Sequence, residues 1–189
     1  STVSADRGDI AEMTVEIEDS DFATITAGAV DGSEGFVANA TVEDENDDDQ
    51  VTVYFNTYEL QENVSGDADE AQPFVVDSDS DDIIDSQDVS DNVSDLIDAG
   101  QYDLEVSAGE TAPAATSSGA DGVATLALNA RSTETLRMWT GSKSEIGTPS
   151  DLEDVNEALD NGEITKSSEV AVGDWAVHQV VSSGLQGAL

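Results

Sequence analysis

The chain has 189 residues, of which 43 are Asp or Glu and only five are Lys or Arg, so its formal net charge is −38. Such a charge repels nucleic acids and anionic lipid surfaces, and no basic patch in the sequence offsets it. Hydrophobic residues make up 38% of the chain and cysteine is absent, which excludes a disordered acidic tail, disulfide bonds and thiolate metal sites.

Predicted strands occupy most of the first hundred residues. In the segment Glu12–Glu18 polar and apolar residues alternate, which places Met13, Val15 and Ile17 on one face of a strand. Four further segments have a strand pattern: FATITAG (22–28), FVANATVE (36–43), QVTVYFNTYEL (50–60) and YDLEVSAG (102–109). Such strands, separated by Gly, Asp and Asn turns, predict a mainly β protein that begins with an immunoglobulin-like β-sandwich over residues 1–109.

Tyr102 lies at the start of the last of these strands, directly after a turn. Its ring could fill the core, or its hydroxyl could be anchored on the backbone. We expect core packing.

A linker and a second, smaller lobe are predicted after the sandwich. Residues 110–121, ETAPAATSSGAD, are rich in Ala, Ser, Thr and Gly, a composition typical of a linker or a long surface loop. Residues 122–189 then contain three further strand patterns, at 123–131, 133–141 and 170–185. The second lobe is therefore expected to be β-rich, and its apolar end GLQGAL indicates a chain that continues beyond Leu189.

The second lobe is also expected to contain one short helix, near residues 151–160. Ser150 or Asp151 could be its N-cap, and Gly162 is suited to ending it.

The acidic stretch DSDSDDIIDSQD (77–88) has the ligand spacing of an EF-hand calcium loop. Side-chain oxygens would come from positions one, three, five, nine and twelve, and a backbone carbonyl from position seven, Ile83. The candidate metal ligands are Asp77, Asp79, Asp81, Asp85 and Asp88. The match is imperfect because Asp82 replaces the usual Gly, position twelve is not Glu, and no helices are predicted on either side. A solvated acidic loop, or a looser site for Ca²⁺, Mg²⁺ or hydrated Na⁺, stays open, and DENDDD (44–49) has the same alternatives.

Two short motifs concern the outer surface. The tripeptide RGD at Arg7–Asp9 is an adhesion motif in animal systems, but we expect Arg7 to pair with acids near the first strand. Three N-x-S/T sequons are candidate glycosylation sites, at Asn39, Asn63 and Asn92. Asn39 lies in a predicted strand and would have to face outwards to be modified.

Catalysis has little support in the sequence. The single histidine, His178, lies in an alternating strand pattern, and no nucleophile elbow or phosphate-binding glycine motif accompanies it. Trp139 and Trp175 could stack on sugars, but core filling is the simpler interpretation. We therefore expect a protein that is not an enzyme.

The acidic surface predicts a requirement for molar salt. A 19.7 kDa globule exposes roughly 8,600 Å², or about 200 Å² per acid, which places neighbouring carboxylates roughly 14 Å apart. Their summed repulsion in unscreened water is on the order of 30 kcal/mol, several times a typical folding free energy of about 5–15 kcal/mol. Because the Debye length is about 10 Å at ~0.1 M salt and about 3 Å at ~1 M, this repulsion nearly vanishes only in molar salt.

Several segments resemble those of haloarchaeal cell-surface and S-layer-type glycoproteins. The segments RGDIAEMTVEIEDSDFATITAG (7–28) and GFVANATVEDENDDDQVTVYFNTY (35–58) are similar to the opening of domains in these proteins. The segments RSTETLRMWTG (131–141) and EVAVGDWAVHQVVSSGLQGAL (169–189) are similar to the continuation found in BGTF-type surface domains. The resemblance covers nearly the whole chain.

The resemblance implies an exported, N-glycosylated and β-rich module of a larger protein at the cell surface or in the cell wall. It brings no catalytic residues and no assigned cation ligands, although it implies dependence on Ca²⁺ or other cations. The expected partners are copies of the chain or neighbouring domains, without nucleic acid and without membrane insertion by this segment.

Together with the reading of the residues, the resemblance predicts a non-catalytic extracellular structural module adapted to molar salt. An adhesin or filament subunit that assembles through strand edges is one alternative. A cation- or glycan-binding accessory domain is another.

Overall fold

A computed structural model describes residues 1–28, 35–61, 72–77, 80, 82–91 and 93–189. Strands dominate this part of the chain, which confirms the prediction of a mainly β protein. The strands are β1 (Thr2–Asp6), β2 (Ile10–Glu16), β3 (Phe22–Gly28), β4 (Val37–Glu43), β5 (Gln50–Asn56), β6 (Phe74–Val76), β7 (Ile83–Asp91), β8 (Gly100–Gly109), β9 (Gly122–Asn129), β10 (Thr133–Gly141), β11 (Thr165–Lys166) and β12 (Trp175–Ser182). The helices are α1 (Ala112–Ser117), α2 (Lys143–Ile146), α3 (Leu152–Asp160) and a 3₁₀ turn at Gln186–Ala188.

The first of two compact units comprises residues 1–131 and 183–189. It contains a six-stranded sheet in the order β1-β9-β8-β3-β4-β7 and a three-stranded sheet in the order β2-β5-β6. Neighbouring strands are antiparallel except for β1 and β9, which run parallel. The inner faces of both sheets contribute to one hydrophobic core.

The residues buried in the core alternate with exposed residues along the strands, as the alternation of apolar and polar residues in the sequence predicts. Met13, Val15 and Ile17 are buried, as the alternation in β2 predicts, while the residues between them are exposed. The largest fully buried side chains include Phe55 and Phe74, whose rings stack with centroids 4.6 Å apart. Burial of a Phe side chain contributes about 1.5–3 kcal/mol, so these aromatic residues are a main source of stability.

The side-chain amide of Gln87 joins the edge strands of the two sheets. Its Oε1 accepts from the Phe74 backbone N–H at 3.1 Å, and its Nε2 donates to the Phe74 carbonyl at 3.2 Å. Gln87 lies on β7 and Phe74 on β6. The amide therefore makes the pair of hydrogen bonds that a neighbouring peptide group would make.

The structure divides the chain at a different place from the expected linker. Within 110–121, residues 112–117 form α1, where the side chain of Thr111 accepts from the Ala114 N–H. Strand β9 then returns to the first unit and pairs with both β8 and β1. The strand expected to close the sandwich at residues 102–109 is therefore an interior strand, and the first unit extends to Arg131.

The second unit comprises Ser132–Ser182. Its sheet has the order β11-β10-β12, with α2 and α3 between β10 and β11 along the chain. Asp151 is the N-cap of α3 and accepts from the Asp154 N–H at 3.0 Å. The helix ends before Gly162, whose φ of 73° favours glycine, so both predicted helix boundaries are confirmed.

Candidate functional site

The predicted calcium ligands in the stretch 77–88 are distributed over two sheets. Asp77 follows β6 and is half-buried, whereas Asp85 and Asp88 are exposed on β7. Asp85 is the extra residue of a β-bulge, because Thr41 pairs with Ser86 and Val42 with Ile84. Asp79 and Asp81 lie outside the described residues.

The second half of this stretch is extended, which differs from an EF-hand loop. Residues 83–88 belong to β7, and six extended residues span roughly 17 Å. Calcium ligands lie about 2.3–2.6 Å from the ion, so the Ile83 carbonyl and the Asp88 carboxylate cannot share one ion in this conformation. In the described ranges, no three acidic or histidine side chains are grouped so that they could hold a metal ion. Cation binding by this stretch stays a prediction.

Acidic residues gather at the end of the sandwich where β4 ends and β7 begins. The pKa of Glu43 is raised, first by partial loss of hydration and then by the charges of Glu45, Asp85 and Asp21. The segment 44–49 is linked to this end through the Asp44 N–H, which donates to the Asp21 carbonyl at 3.0 Å. This acidic end, defined by residues 21, 43–49, 82 and 85, therefore has a strongly negative local potential.

Two acids of this end are buried, which the sequence analysis did not predict. Asp44 and Asp82 have only 7% and 6% of their surface exposed. The alternation of side chains along a strand indicates this burial, because residues two positions apart point to the same face. Val42 and Ile84 face the core, and Asp44 and Asp82 each lie two residues from one of them.

Asn39 lies on the outer face of the six-stranded sheet, as glycosylation would require. It is half-buried, and its Oδ1 accepts from the Thr26 hydroxyl at 2.8 Å. It pairs across the strands with Asp88, so one predicted glycosylation site is beside one predicted cation ligand. The sequon hydroxyl, Thr41 Oγ1, is buried and lies 2.9 Å from Thr24 Oγ1. Asn63 and Asn92 lie outside the described residues.

A polar groove of about 780 Å³ runs along the same outer face. Its lining is mainly uncharged and includes Thr24, Thr26, Asn39, Thr41, Ser107 and Thr116. This lining contrasts with the acidic composition of the rest of the chain.

The RGD tripeptide forms the turn between β1 and β2 and is held by intramolecular contacts. As expected, Arg7 has a structural role: its guanidinium donates to the Leu96 carbonyl at 2.7 Å and pairs with Asp98 at 3.5 Å. The Asp9 carboxylate accepts from the Gly184 and Gln186 N–H groups, both at 2.9 Å. The turn therefore attaches the segment 183–189 to the first unit.

The residues considered for catalysis or sugar binding lie in the second unit. His178 is exposed on β12, opposite Met138. Trp175 is half-buried, donates from Nε1 to the Gly147 carbonyl at 2.6 Å, and lies 4.9 Å beneath the Lys143 ammonium. The Trp175 side chain therefore makes its contacts with residues of the second unit.

In the part of the chain that the structure describes, no helix is long and apolar enough to span a bilayer.

A protein-family model matches the first part of the chain. Residues 1–109 match the model of a family described as a domain of unknown function, DUF7827. No solved structure matches the chain.

Relatives with names come from haloarchaea. The chain is 39% identical over 190 residues to a cell surface glycoprotein of Haloferax gibbonsii. It is 32% identical over 193 and 200 residues to cell surface glycoproteins 1 and 2 of Haloarcula hispanica. Each match covers 100% of this chain and 20% of the relative, so the chain spans about a fifth of the length of the curated relatives it matches.

Proposed function

Because the chain belongs to the DUF7827 family, and its relatives are cell surface glycoproteins, we propose that it is a non-catalytic structural module of a haloarchaeal surface glycoprotein. The observation that carries the proposal is identity of 32–39% over the whole chain to these glycoproteins. The module is located at the cell surface. Its partners are copies of itself or neighbouring domains of an S-layer-type protein.

The first unit is proposed to be immunoglobulin-like. Two features support this: a sandwich with a shared core whose strand pairs are antiparallel except for β1 and β9, and a hydrogen bond from the Tyr102 hydroxyl to the Asp98 carbonyl at 2.7 Å. A tyrosine that bonds to backbone a few residues upstream is typical of immunoglobulin sandwiches. The ring of Tyr102 also packs 5.3 Å from that of Phe36, so it has both of the roles considered from the sequence.

The large negative net charge of the chain supports the proposal that it is adapted to molar salt. The net charge is −38, and Asp44 and Asp82 are the only buried carboxylates among those whose exposure the structure describes. Self-repulsion at low salt destabilises a compact state of this kind.

Glycans are proposed on Asn39, Asn63 and Asn92. The structure limits when a glycan can be attached to Asn39, because the sequon hydroxyl of Thr41 is buried in the interior strand β4. Modification at Asn39 therefore has to precede the folding of β4. Mass spectrometry of proteolytic peptides, made in a haloarchaeal host, tests this; unmodified peptides at all three sequons would contradict it.

Electron microscopy tests the structural role. Immunogold labelling with antibodies against the chain should decorate intact haloarchaeal cells, and the purified full chain in molar NaCl should form ordered assemblies. Label confined to lysed cells would contradict the surface location. A monomeric chain that binds cells or glycans would instead identify an adhesin.

A further inference from the structure

Strand β12 is an uncharged edge strand in a strongly acidic chain. Its eight residues, WAVHQVVS, include no Asp, Glu, Lys or Arg, whereas 43 of the 189 residues of the chain are acidic. The order β11-β10-β12 leaves one side of β12 without a neighbouring strand. Edge strands usually carry charged side chains, which prevent their free backbone groups from pairing with another chain. Strand β12 lacks this protection.

The hydrogen bonds of β10 show which residues of β12 face their partner strand. The N–H of Ser167, which follows β11, donates to the Met138 carbonyl at 3.1 Å, so the hydrogen-bonding groups of Met138 lie on the β11 side of β10. Because these groups alternate between the two sides of a strand, those of Trp139 point towards β12, where Trp139 is opposite Val177. Val177 therefore bonds to β10, and the residues on either side of it direct their N–H and C=O groups outwards.

The outward backbone groups belong to Ala176, His178 and Val180. All three residues are exposed, Val180 to 56%. In the described part of the chain, no turn and no further strand forms backbone hydrogen bonds with this edge. The edge therefore offers alternating donors and acceptors in the pattern that an antiparallel strand requires.

The other edge strands in the described ranges are poorly suited to pairing between two acidic chains. Strand β1 contains Asp6, β2 contains Glu12 and Glu16, and β7 contains three aspartates. Strand β6 is joined to β7 through Gln87, and β11 has only two residues. The edge of a second copy that can approach β12 without bringing acids is therefore its own β12.

We propose that β12 pairs antiparallel with β12 of a second copy, about a two-fold axis at His178. His178 is then opposite its counterpart, and Ala176 is opposite Val180 of the second copy. Each of these opposed pairs exchanges both of its main-chain hydrogen bonds, so the sheets of the two copies become continuous. The proposal rests on the proposed function, in which copies of the chain are partners.

The charge beside the strand favours the antiparallel direction. Asp174 directly precedes β12. In the antiparallel pair it lies opposite Ser182 of the second copy, whereas a parallel pair in register would place Asp174 beside its counterpart. Like charges directly opposite each other destabilise strand pairing, so the antiparallel arrangement is the one that avoids repulsion at this point.

The contact between two isolated copies is weak. Pairing of a single strand buries less than the roughly 1,000 Å² that a stable interface needs, so we expect a Kd of about 0.1–1 mM. Neighbouring contacts that act together in an ordered assembly raise the effective concentration of the edges. A weak contact is therefore sufficient in a surface layer.

Cross-linking tests the position of the axis. The chain contains no cysteine, so a single introduced thiol reports on this contact alone. In the full chain in molar NaCl, His178→Cys places two thiols opposite each other with Cα atoms about 5.5 Å apart, within the range of about 4.4–6.8 Å that a disulfide spans. Val180→Cys is the matched control, because its counterpart lies four residues further along the strand, roughly 13 Å away. Oxidation should link His178→Cys at least about tenfold faster than Val180→Cys.

A mixture of two variants tests the register. Ala176→Cys and Val180→Cys should link slowly when each is oxidised alone, and at least about tenfold faster when the two are mixed. Equal rates for all of these combinations would indicate random collision and would overturn the pairing. Fast linking of His178→Cys without fast linking in the mixture would also overturn it, because the strands would then not lie side by side.

Proline substitution tests the backbone hydrogen bonds. His178→Pro removes an outward N–H without removing a bond to β10, and it should weaken dimerisation at least about tenfold, measured by sedimentation up to about 1 mM chain. Val172→Pro is the control, because Val172 lies in the turn between Ala171 and Asp174, at a position that accepts proline before Gly173 with its φ of 99°. It should leave Kd within about twofold; equal weakening by both variants would contradict the proposal.

The outcomes separate this contact from the proposed function. If antibodies label intact cells and ordered assemblies form, but His178→Cys links no faster than Val180→Cys, the contact is wrong and the surface role stands. If linking is selective for His178→Cys while label is confined to lysed cells, the contact stands and the surface role is contradicted.

Discussion

At the scale of single residues, the turn Arg7–Asp9 holds separate segments of the first unit together. Gly8 donates its N–H to Thr57 Oγ1 at 2.9 Å, and that hydroxyl donates to the Asp9 carbonyl at 2.8 Å. Thr57 is fully buried. The RGD tripeptide, which on sequence alone suggests adhesion, therefore has a structural role in the first unit.

Gly8→Ala should destabilise the first unit. Gly8 has a φ of 90°, and an added Cβ would lie 2.5 Å from the Gly184 carbonyl oxygen. The left-handed conformation alone costs roughly 1–2 kcal/mol for a residue with a Cβ, and the clash adds to it. Chemical denaturation measures the loss. Gly35→Ala is the control, because Gly35 has a φ of 84° with nothing within 4 Å; equal losses in both variants would contradict the clash.

Asp154→Asn should lower the stability of the second unit in a pH-dependent way. The pKa of Asp154 is lowered, first by the Ser150 backbone N–H and then by the Ser150 hydroxyl, which donate to its carboxylate at 2.8 and 2.9 Å. A depressed folded-state pKa contributes stability above the ordinary value of about 4, and this contribution is lost as the pH falls through the folded-state pKa. Thermal unfolding at several pH values measures it, with Asp160→Asn as control. A difference from the wild type that does not shrink on acidification would refute the assignment.

At the scale of secondary-structure elements, local patterns predicted most strands but not where each strand pairs. The alternation in β2 and β5 identifies their core-facing residues, because one face of each strand is buried. The place of β9 could not be predicted, since its parallel pairing with β1 joins residues more than a hundred positions apart. Helix α1 lies within residues 110–121, whose composition predicts a linker or a long surface loop, although Thr111 and Pro113 are typical of a helix start.

The sequence of α3 does not show which of its apolar side chains is buried. Leu152 is 72% exposed, whereas Ala158 is the buried residue of the helix. Similarly, nothing in the composition indicates which of 43 acids are buried. Only the continuation of the strand period beyond β4 and β7 indicates Asp44 and Asp82.

Gln87→Glu should loosen the connection between β6 and β7. A carboxylate cannot donate to the Phe74 carbonyl, and it repels the acids nearby, so the variant should lose about 1–3 kcal/mol. Urea unfolding in molar NaCl measures the change. Ser86→Ala, at the exposed neighbouring position, should have little effect. Wild-type stability in Gln87→Glu would mean that the amide does not join the sheets.

At the scale of the whole molecule, charge governs the conditions in which the chain folds. The five bases are too few to neutralise the 43 acids, and the one ion pair found in the described ranges, between Arg7 and Asp98, involves an aspartate that is 93% exposed. Such a pair contributes little. Screening by salt is therefore the main means of reducing the repulsion.

The most direct test is the free energy of unfolding as a function of NaCl concentration, from about 0.1 M to about 3 M. A module adapted to the salt of a haloarchaeal surface should gain several kcal/mol over this range, with most of the gain below about 1 M, where the Debye length falls towards about 3 Å. KCl at equal ionic strength should give a similar gain, since screening depends on charge and concentration. A free energy of unfolding that is independent of NaCl would contradict the account.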